Sequence, residues 1–272
     1  MLEKTVYKEA FHHDAAALAT AARQGLDAPV PSCPGWTVAT LVTHLTGIYA
    51  SRIVLSRAHA RENIIKSYDD LGLSPSYRDW FDAALDERPE ARNQTLPPMP
   101  PDLLDLFVRT AATLEDVLWA LEPSEPVWTW FATDRTAGFW QRRMAQETAV
   151  HRWDTQLAYG EPAPIDADLA SDGIDEVFDV MLPMRRHWAQ AWRQGSGETY
   201  HFHRTDGPGE WLVRFDPDGP VISREHARGD VALRGSASDL LLWLWHRIPN
   251  DRLEVFGDAT LVDRFFELVP PG

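Results

Sequence analysis

The sequence predicts an α+β protein with two domains: a four-helix bundle over residues 1–160 and a smaller α+β domain with an antiparallel sheet over residues 161–272. Apolar residues recur at helical spacing through the first part, whereas the second part contains short alternating runs between turn signals. The chain has 272 residues, of which 44% are hydrophobic and 25% charged, so each part can bury a core of its own.

Capping residues and prolines delimit the helices of the first part. Thr37 is placed to cap the start of the second helix, and Gly160 is placed to end the last one. The main helices are expected over about residues 3–24, 38–60, 103–121 and a segment ending near 159, with a short extra helix over 77–85.

The second part begins with a long helical pattern over residues 167–194, which Pro183 is expected to kink or interrupt. Alternating runs and turn signals then predict an antiparallel meander, followed by a helix, a strand and a final helix. These elements are expected at residues 198–205, 210–216 and 221–235 for the meander, then 236–247, 253–257 and 258–269.

Three residues of the first part predict a metal site. Glu147 and His151 are four residues apart, so a helix stacks both side chains on one face. His44 lies on the apolar face of a separate helix. If the two helices pack side by side, one carboxylate and two imidazoles converge, which is the usual ligand set of a catalytic divalent metal with a position left open.

Each of these residues also has a simpler interpretation. His44 alone fits a buried core histidine, and Glu147 and His151 alone fit a surface pair at helical spacing. Asp154 shares the face of Glu147 and His151, and it could orient a ligand imidazole, pair with an arginine or cap the domain interface.

Other chemically capable residues carry weaker signals. Cys33 precedes a helix, where a thiolate could be stabilised, but a buried small residue in a turn is the favoured interpretation. His201 and His203 face one side of a predicted strand without an evident carboxylate partner, which favours a solvated strand face.

Net charge and cysteine content limit the environment and partners of the chain. The formal net charge of −15 argues against nucleic-acid and membrane partners, because phosphate backbones and anionic lipids are repelled. The single cysteine excludes an intrachain disulfide, as expected in a reducing compartment. The N-terminal segment lacks a signal-peptide core, so we expect a cytoplasmic protein. The chain is expected to be a monomer or a homodimer.

Two motifs of the first part resemble a known family. VPSCPGWTVATLVTHLTG and ETAVHRWDTQLAYGEP are similar to segments of the mycothiol-dependent maleylpyruvate isomerase family of actinobacteria, whose N-terminal domain is a DinB-like metal-binding four-helix bundle. LRGSASDLLLWLWHRI and LEVFGDATLVDRFFEL resemble its C-terminal domain, which is similar to sterol-carrier-protein folds.

The resemblance implies a ligand set and a co-substrate. The family's metal ligands fall on His44, Glu147 and His151, the metal is typically zinc, and a low-molecular-weight thiol, mycothiol, is the co-substrate. The family isomerase also uses a basic residue of the C-terminal domain, for which the candidates here are Arg214, Arg224 and Arg234.

These observations favour a metal- and thiol-dependent transferase or isomerase that acts on a small electrophile. Thiol addition, bond rotation and elimination give cis–trans isomerisation, whereas addition alone gives an S-transferase, and both need the same metal ligands. Two alternatives remain: a metal-dependent hydrolase with water as nucleophile, and a non-enzymatic small-molecule-binding protein.

Overall fold

The computed structural model describes residues 1–86, 96–184 and 193–269. The chain divides into two compact units, Met1–Ala163 and Pro164–Gly272. The first is helical and the second contains a five-stranded, mostly antiparallel sheet, so the predicted α+β class is confirmed.

The first unit is built from long helices, with a 3₁₀ turn, Tyr68–Leu71, before the shortest of the described helices. Helix α1 packs along α5 and α4, while α2 packs along α4 and α5. The helices are α1 Lys4–Ala22, α2 Val38–Arg57, α3 Pro75–Ala84, α4 Leu103–Leu118 and α5 Ala137–Leu157.

Helix α2 is held at its start by the predicted cap. The Thr37 hydroxyl accepts a hydrogen bond from the Thr40 backbone N–H, and the Thr40 side chain interacts with the Thr37 backbone in return. Within the described residues, α2 is the one helix long and apolar enough to cross a membrane. Because 72% of that stretch is buried inside the protein, α2 is a core helix.

Helix α5 is buried on nearly all sides, although it carries many polar residues. Such groups are tolerated only when they are paired. The Arg152 Nε donates to Asp14 of α1 at 3.1 Å, and the Gln141 side chain donates to the Leu118 and Leu121 carbonyls. Glu147 and His151 therefore lie in the protein interior, and their interpretation as a surface pair is wrong.

The second unit begins with α6, Ala167–Glu176, which continues into a π-helical turn at Val177–Met181. This widened turn lies directly before Pro183, where proline removes a backbone donor and crowds the preceding turn. The helix is therefore irregular close to Pro183, where the sequence predicts a kink or an interruption. Residues 185–192 of the predicted helix lie outside the described residues.

Five strands form one sheet in the order β3-β2-β1-β4-β5, and two helices accompany them. The strands are β1 Glu198–Arg204, β2 Glu210–Asp216, β3 Gly219–Ser223, β4 Val231–Gly235 and β5 Glu254–Gly257, and the helices are α7 Ala237–Leu244 and α8 Thr260–Leu268.

The predicted antiparallel meander is wrong at β4. The run 221–235 contributes two separate strands, and the connection 224–230 carries the chain from β3 to the far side of β1, where β4 pairs with β1 in parallel. Residue alternation along a strand fixes which side chains share a face, but it does not fix which strand becomes the neighbour.

The two faces of this sheet differ in character. Tyr200 and Phe202 of β1 point into an aromatic core, where both rings contact Phe265 of α8 and Phe202 also contacts Trp243 of α7. The residues that alternate with them on β1 are histidines, and they occupy the opposite face.

Candidate metal centre

His44, Glu147 and His151 converge in the first unit. The Nε2 atoms of His44 and His151 lie 3.1 and 3.3 Å from the same oxygen, Oε1 of Glu147. The two imidazole rings are 5.2 Å apart and nearly perpendicular. One ligand atom from each residue lies within 4.8 Å of the others, which is close enough for one ion to be held by all three.

Helix geometry explains this convergence. On α5, Glu147 and His151 are stacked one turn apart, and α2 packs beside them. The two helices are joined close to the site by a hydrogen bond of 2.6 Å between the Tyr49 and Thr148 hydroxyls, both of which are buried.

Asp154 fixes the ring of His151. Its Oδ2 lies 2.9 Å from Nδ1 of His151, and its Oδ1 accepts a hydrogen bond from the Ser32 hydroxyl at 2.6 Å. Asp154 is completely buried, so this contact is well shielded from water. With Nδ1 engaged by a carboxylate, Nε2 of His151 is the nitrogen turned toward Glu147 and His44.

The second oxygen of Glu147 is held by Arg143, whose guanidinium donates to Oε2 at 2.9 Å. Burial by itself raises the pKa of Glu147, but hydrogen bonds from His151 and His44 and the charge of Arg143 outweigh burial and hold this pKa well below its usual range. Burial lowers the pKa of His151, but Asp154 and Glu147 together raise it to about 9.

The donor set fits a divalent metal. Arg143 engages one oxygen of Glu147 and Asp154 engages one nitrogen of His151, so Oε1 and Nε2 are the atoms left to face a shared ion together with Nε2 of His44. Two imidazole nitrogens and one carboxylate oxygen match a zinc site with an open fourth position.

Trp36 and Cys33, in the turn before α2, lie beside the site. The Trp36 ring is 5.0 Å from the His44 ring and stacks at 6.3 Å on the His151 ring. Cys33 lies half-buried in this turn, and its sulfur lies 3.6 Å from Oδ2 of Asp154. A neighbouring carboxylate opposes formation of a thiolate.

Arg52 was missed by the sequence reasoning. Its guanidinium lies 3.7 Å above the Trp140 ring of α5, and its Nε has no hydrogen-bond partner. Among the described residues it forms no salt bridge, and the negative charge of Glu147 acts to raise its pKa. Burial lowers the Arg52 pKa to about 10. Arg52 follows His44 by eight residues on α2, but a single arginine at that spacing is not a distinctive signal in the sequence.

The three candidate arginines of the second unit all have acidic partners. Arg214 pairs with Asp216, Arg224 with Asp175 and Asp179, and Arg234 with Glu254. Their contacts within this unit therefore do not single out one of the three as the basic residue of the site.

The prediction that His201 and His203 form a solvated strand face is wrong, because Glu210 of β2 lies 2.7 Å from both rings.

Comparisons with known proteins agree with this architecture. The profile of the Mycothiol maleylpyruvate isomerase N-terminal domain matches residues 8–156, and that of the MDMPI C-terminal domain matches residues 168–264. No curated protein matches the chain in sequence.

Two crystal structures share the fold: a mycothiol-dependent maleylpyruvate isomerase, with a TM-score of 0.61 at 15% identity, and a point mutant of such an enzyme, with a TM-score of 0.60 at 14% identity. In both comparisons 95% of each chain is covered. The two profiles together span most of the sequence. The chain therefore belongs to the mycothiol maleylpyruvate isomerase family.

Proposed function

We propose that this protein is a divalent-metal- and thiol-dependent isomerase or transferase of small electrophiles, with mycothiol as the thiol. The observation that carries the proposal is the convergence of His44, Glu147 and His151. The second oxygen of Glu147 is held by Arg143, and the second ring nitrogen of His151 is held by Asp154. The names of the matching profiles and structures support mycothiol and isomerisation.

Zinc is the metal that suits this ligand set best, with His44 Nε2, Glu147 Oε1 and His151 Nε2 as its protein ligands. When bound, it would lower the pKa of a thiol in the open position and so hold a nucleophile ready near neutral pH. Asp154 orients His151, Arg143 holds Glu147, and Trp36 shields one side of the ligand rings.

The reaction follows from thiol chemistry. A thiolate adds to one carbon of an activated double bond, the resulting single bond rotates, and elimination expels the same thiolate and restores the double bond in the other geometry. The thiol is regenerated, so no atom is gained or lost. If the adduct instead takes up a proton at carbon and is released, the result is an S-transferase.

Arg52 supports an anionic substrate. Arg52 is half-buried, its Nε is buried without a hydrogen-bond partner, and it has no carboxylate partner among the described residues. It lies on the helix that carries His44. A guanidinium in such a place favours a carboxylate or another planar anion. A small conjugated acid therefore fits the site better than a neutral alkene.

The test is turnover of maleylpyruvate by the zinc-loaded full-length protein with and without mycothiol. We expect isomerisation that requires the thiol and that is lost in His44→Ala but kept in His12→Ala, which removes an exposed histidine of α1. Turnover without thiol would indicate the hydrolase, and binding of small acids without turnover of any electrophile would indicate a binding protein.

A further inference from the structure

A second cluster of metal-ligating residues lies in the second unit, on the histidine-bearing face of the sheet. It surrounds the carboxylate of Glu210. His201 Nε2 lies 2.7 Å from Oε2, while His203 Nδ1 and His226 Nδ1 lie 2.7 and 3.1 Å from Oε1. One ligand atom from each of the four residues lies within 4.8 Å of all the others.

Three separate segments build this cluster. His201 and His203 are two residues apart on β1 and share a face, and Glu210 of β2 lies directly opposite His203 in the antiparallel register. His226 comes from the connection between β3 and β4, which passes close to β1, so that its ring lies 5.0 Å from the ring of His201. The parallel placement of β4 thus brings the fourth residue to the site.

The four side chains of the cluster differ in solvent exposure, from one that is buried to one that is mostly exposed. The His201 side chain is 7% exposed, Glu210 and His203 are 25% and 30% exposed, and His226 is 74% exposed. Such a gradient gives an ion a route from solvent, and it leaves the outermost ligand free to close over the ion.

The chemistry of the donor set selects the class of ion. Three imidazole nitrogens and one carboxylate oxygen match Zn²⁺ and its transition-metal neighbours, whereas Mg²⁺ and Ca²⁺ prefer oxygen ligands throughout. Tetrahedral zinc with metal–ligand distances of about 2.0–2.1 Å separates its ligand atoms by roughly 3.3 Å. Inward movement of His226 and small side-chain rotations therefore suffice to complete the shell.

We propose that His201, His203, Glu210 and His226 form a second divalent-metal site, selective for zinc-class ions. It differs from the first site because four protein ligands fill a tetrahedral shell and leave no open position. Closed sites of this kind stabilise structure. The bound ion would clamp β1, β2 and the β3–β4 connection together, and it would stabilise the second unit because it binds only the folded state.

The test uses the full-length protein with the first site removed by His44→Ala, so that this proposal stands or falls separately from the proposed function. Metal is stripped with a chelator, Zn²⁺ is added in slight excess, and metal per chain is measured by elemental mass spectrometry after desalting. We expect about one zinc per chain in His44→Ala, and close to none after the further change Glu210→Gln or His203→Ala.

His226→Ala provides a variant that does not risk the fold, because this side chain is mostly exposed in a connection. In the His44→Ala background it should weaken zinc binding by more than about tenfold, a loss typical even of supporting contacts. His12→Ala is the matched histidine control. The absorption of the Co²⁺-loaded protein should be that of a tetrahedral ion. Absence of zinc in His44→Ala, or equal zinc affinity with and without His226, would overturn the proposal.

Discussion

At the residue scale, two of the candidate metal ligands, Glu147 and His151, each turn one polar atom toward the site and the other toward a supporting residue. Glu147 presents one oxygen to two imidazoles and the other to Arg143, and His151 presents one nitrogen to Glu147 and the other to Asp154. A ligand whose second atom is fixed loses less freedom when it binds an ion, so the supporting residues are expected to affect metal affinity.

Asp154→Asn tests this support. The substitution keeps the size of the side chain but removes the charge that orients the His151 ring, so we expect zinc affinity to fall by about 10- to 100-fold with the fold intact. Competition with a chromophoric chelator measures the affinity, and circular dichroism checks the fold. The control is Asp116→Asn, at an exposed position of α4. Equal zinc affinity in all three proteins would contradict a positioning role for Asp154.

Arg52→Met tests the assignment of an anionic substrate. Methionine keeps much of the apolar packing on Trp140 but removes the guanidinium. A lost charged hydrogen bond costs about 1.5–3 kcal/mol, so kcat/KM for an anionic electrophile should fall by about tenfold or more. The control is Arg57→Met, at the exposed end of α2. An equal loss with a neutral electrophile would show that Arg52 acts on the fold rather than on the substrate charge.

At the element scale, helix ends and helix faces were predictable because their signals are local. Thr37 caps α2 as predicted, and the spacing of Glu147 and His151 by itself places both on one face of α5. The packing of α2 against α5 is a long-range event, so the contact between His44 and Glu147 was expected only conditionally from spacing and more firmly from the family resemblance. Arg52 was overlooked because a single arginine on an apolar helix has no distinctive pattern.

The strand order of the sheet was less predictable, because strand pairing is also a long-range event. Alternation correctly separated the aromatic face of β1 from the histidine face. However, no local signal indicated that β4 would pair with β1 in parallel, or that the preceding connection would bring His226 next to His201. The carboxylate partner, Glu210, lies on the next strand, and identifying it required the register of β1 and β2.

Asp206 gives a pH-dependent prediction at this scale. One oxygen of Asp206 accepts hydrogen bonds from Arg204 Nε at 2.8 Å and from the Ala237 N–H at the start of α7. Burial raises the pKa of Asp206, but these contacts outweigh it and lower the pKa below 3.8. A lowered pKa contributes stability that is present above pH 4 and lost as the pH falls further.

We therefore expect Asp206→Asn to lower the free energy of unfolding by less than about 1 kcal/mol at pH 7, because the Asp206 side chain is 36% exposed and solvent screens its charge. The difference from the wild type should shrink as the pH falls below about 4, because the wild-type carboxylate then takes up a proton. Urea unfolding at a series of pH values measures the difference in unfolding free energy between the two proteins. A difference that is constant from pH 7 to pH 2 would show that the charge of Asp206 contributes nothing.

At the scale of the whole molecule, the two units use histidine and carboxylate side chains in different ways. The first unit brings two histidines and one glutamate together, whereas the second surrounds one glutamate with three histidines. The proposed chemistry belongs to the first unit, where the three candidate ligands lie together and where Arg52 has no carboxylate partner among the described residues. The cluster on the sheet fits a stabilising role in the second.

The central claim is that His44, Glu147 and His151 hold a divalent metal. The most direct measurement is the metal content of the full-length protein after equilibration with zinc, compared between the wild type and His44→Ala by elemental mass spectrometry. We expect one fewer ion per chain in His44→Ala, with unchanged circular dichroism. Equal metal content in the two proteins, or a wild type that takes up no metal, would contradict it.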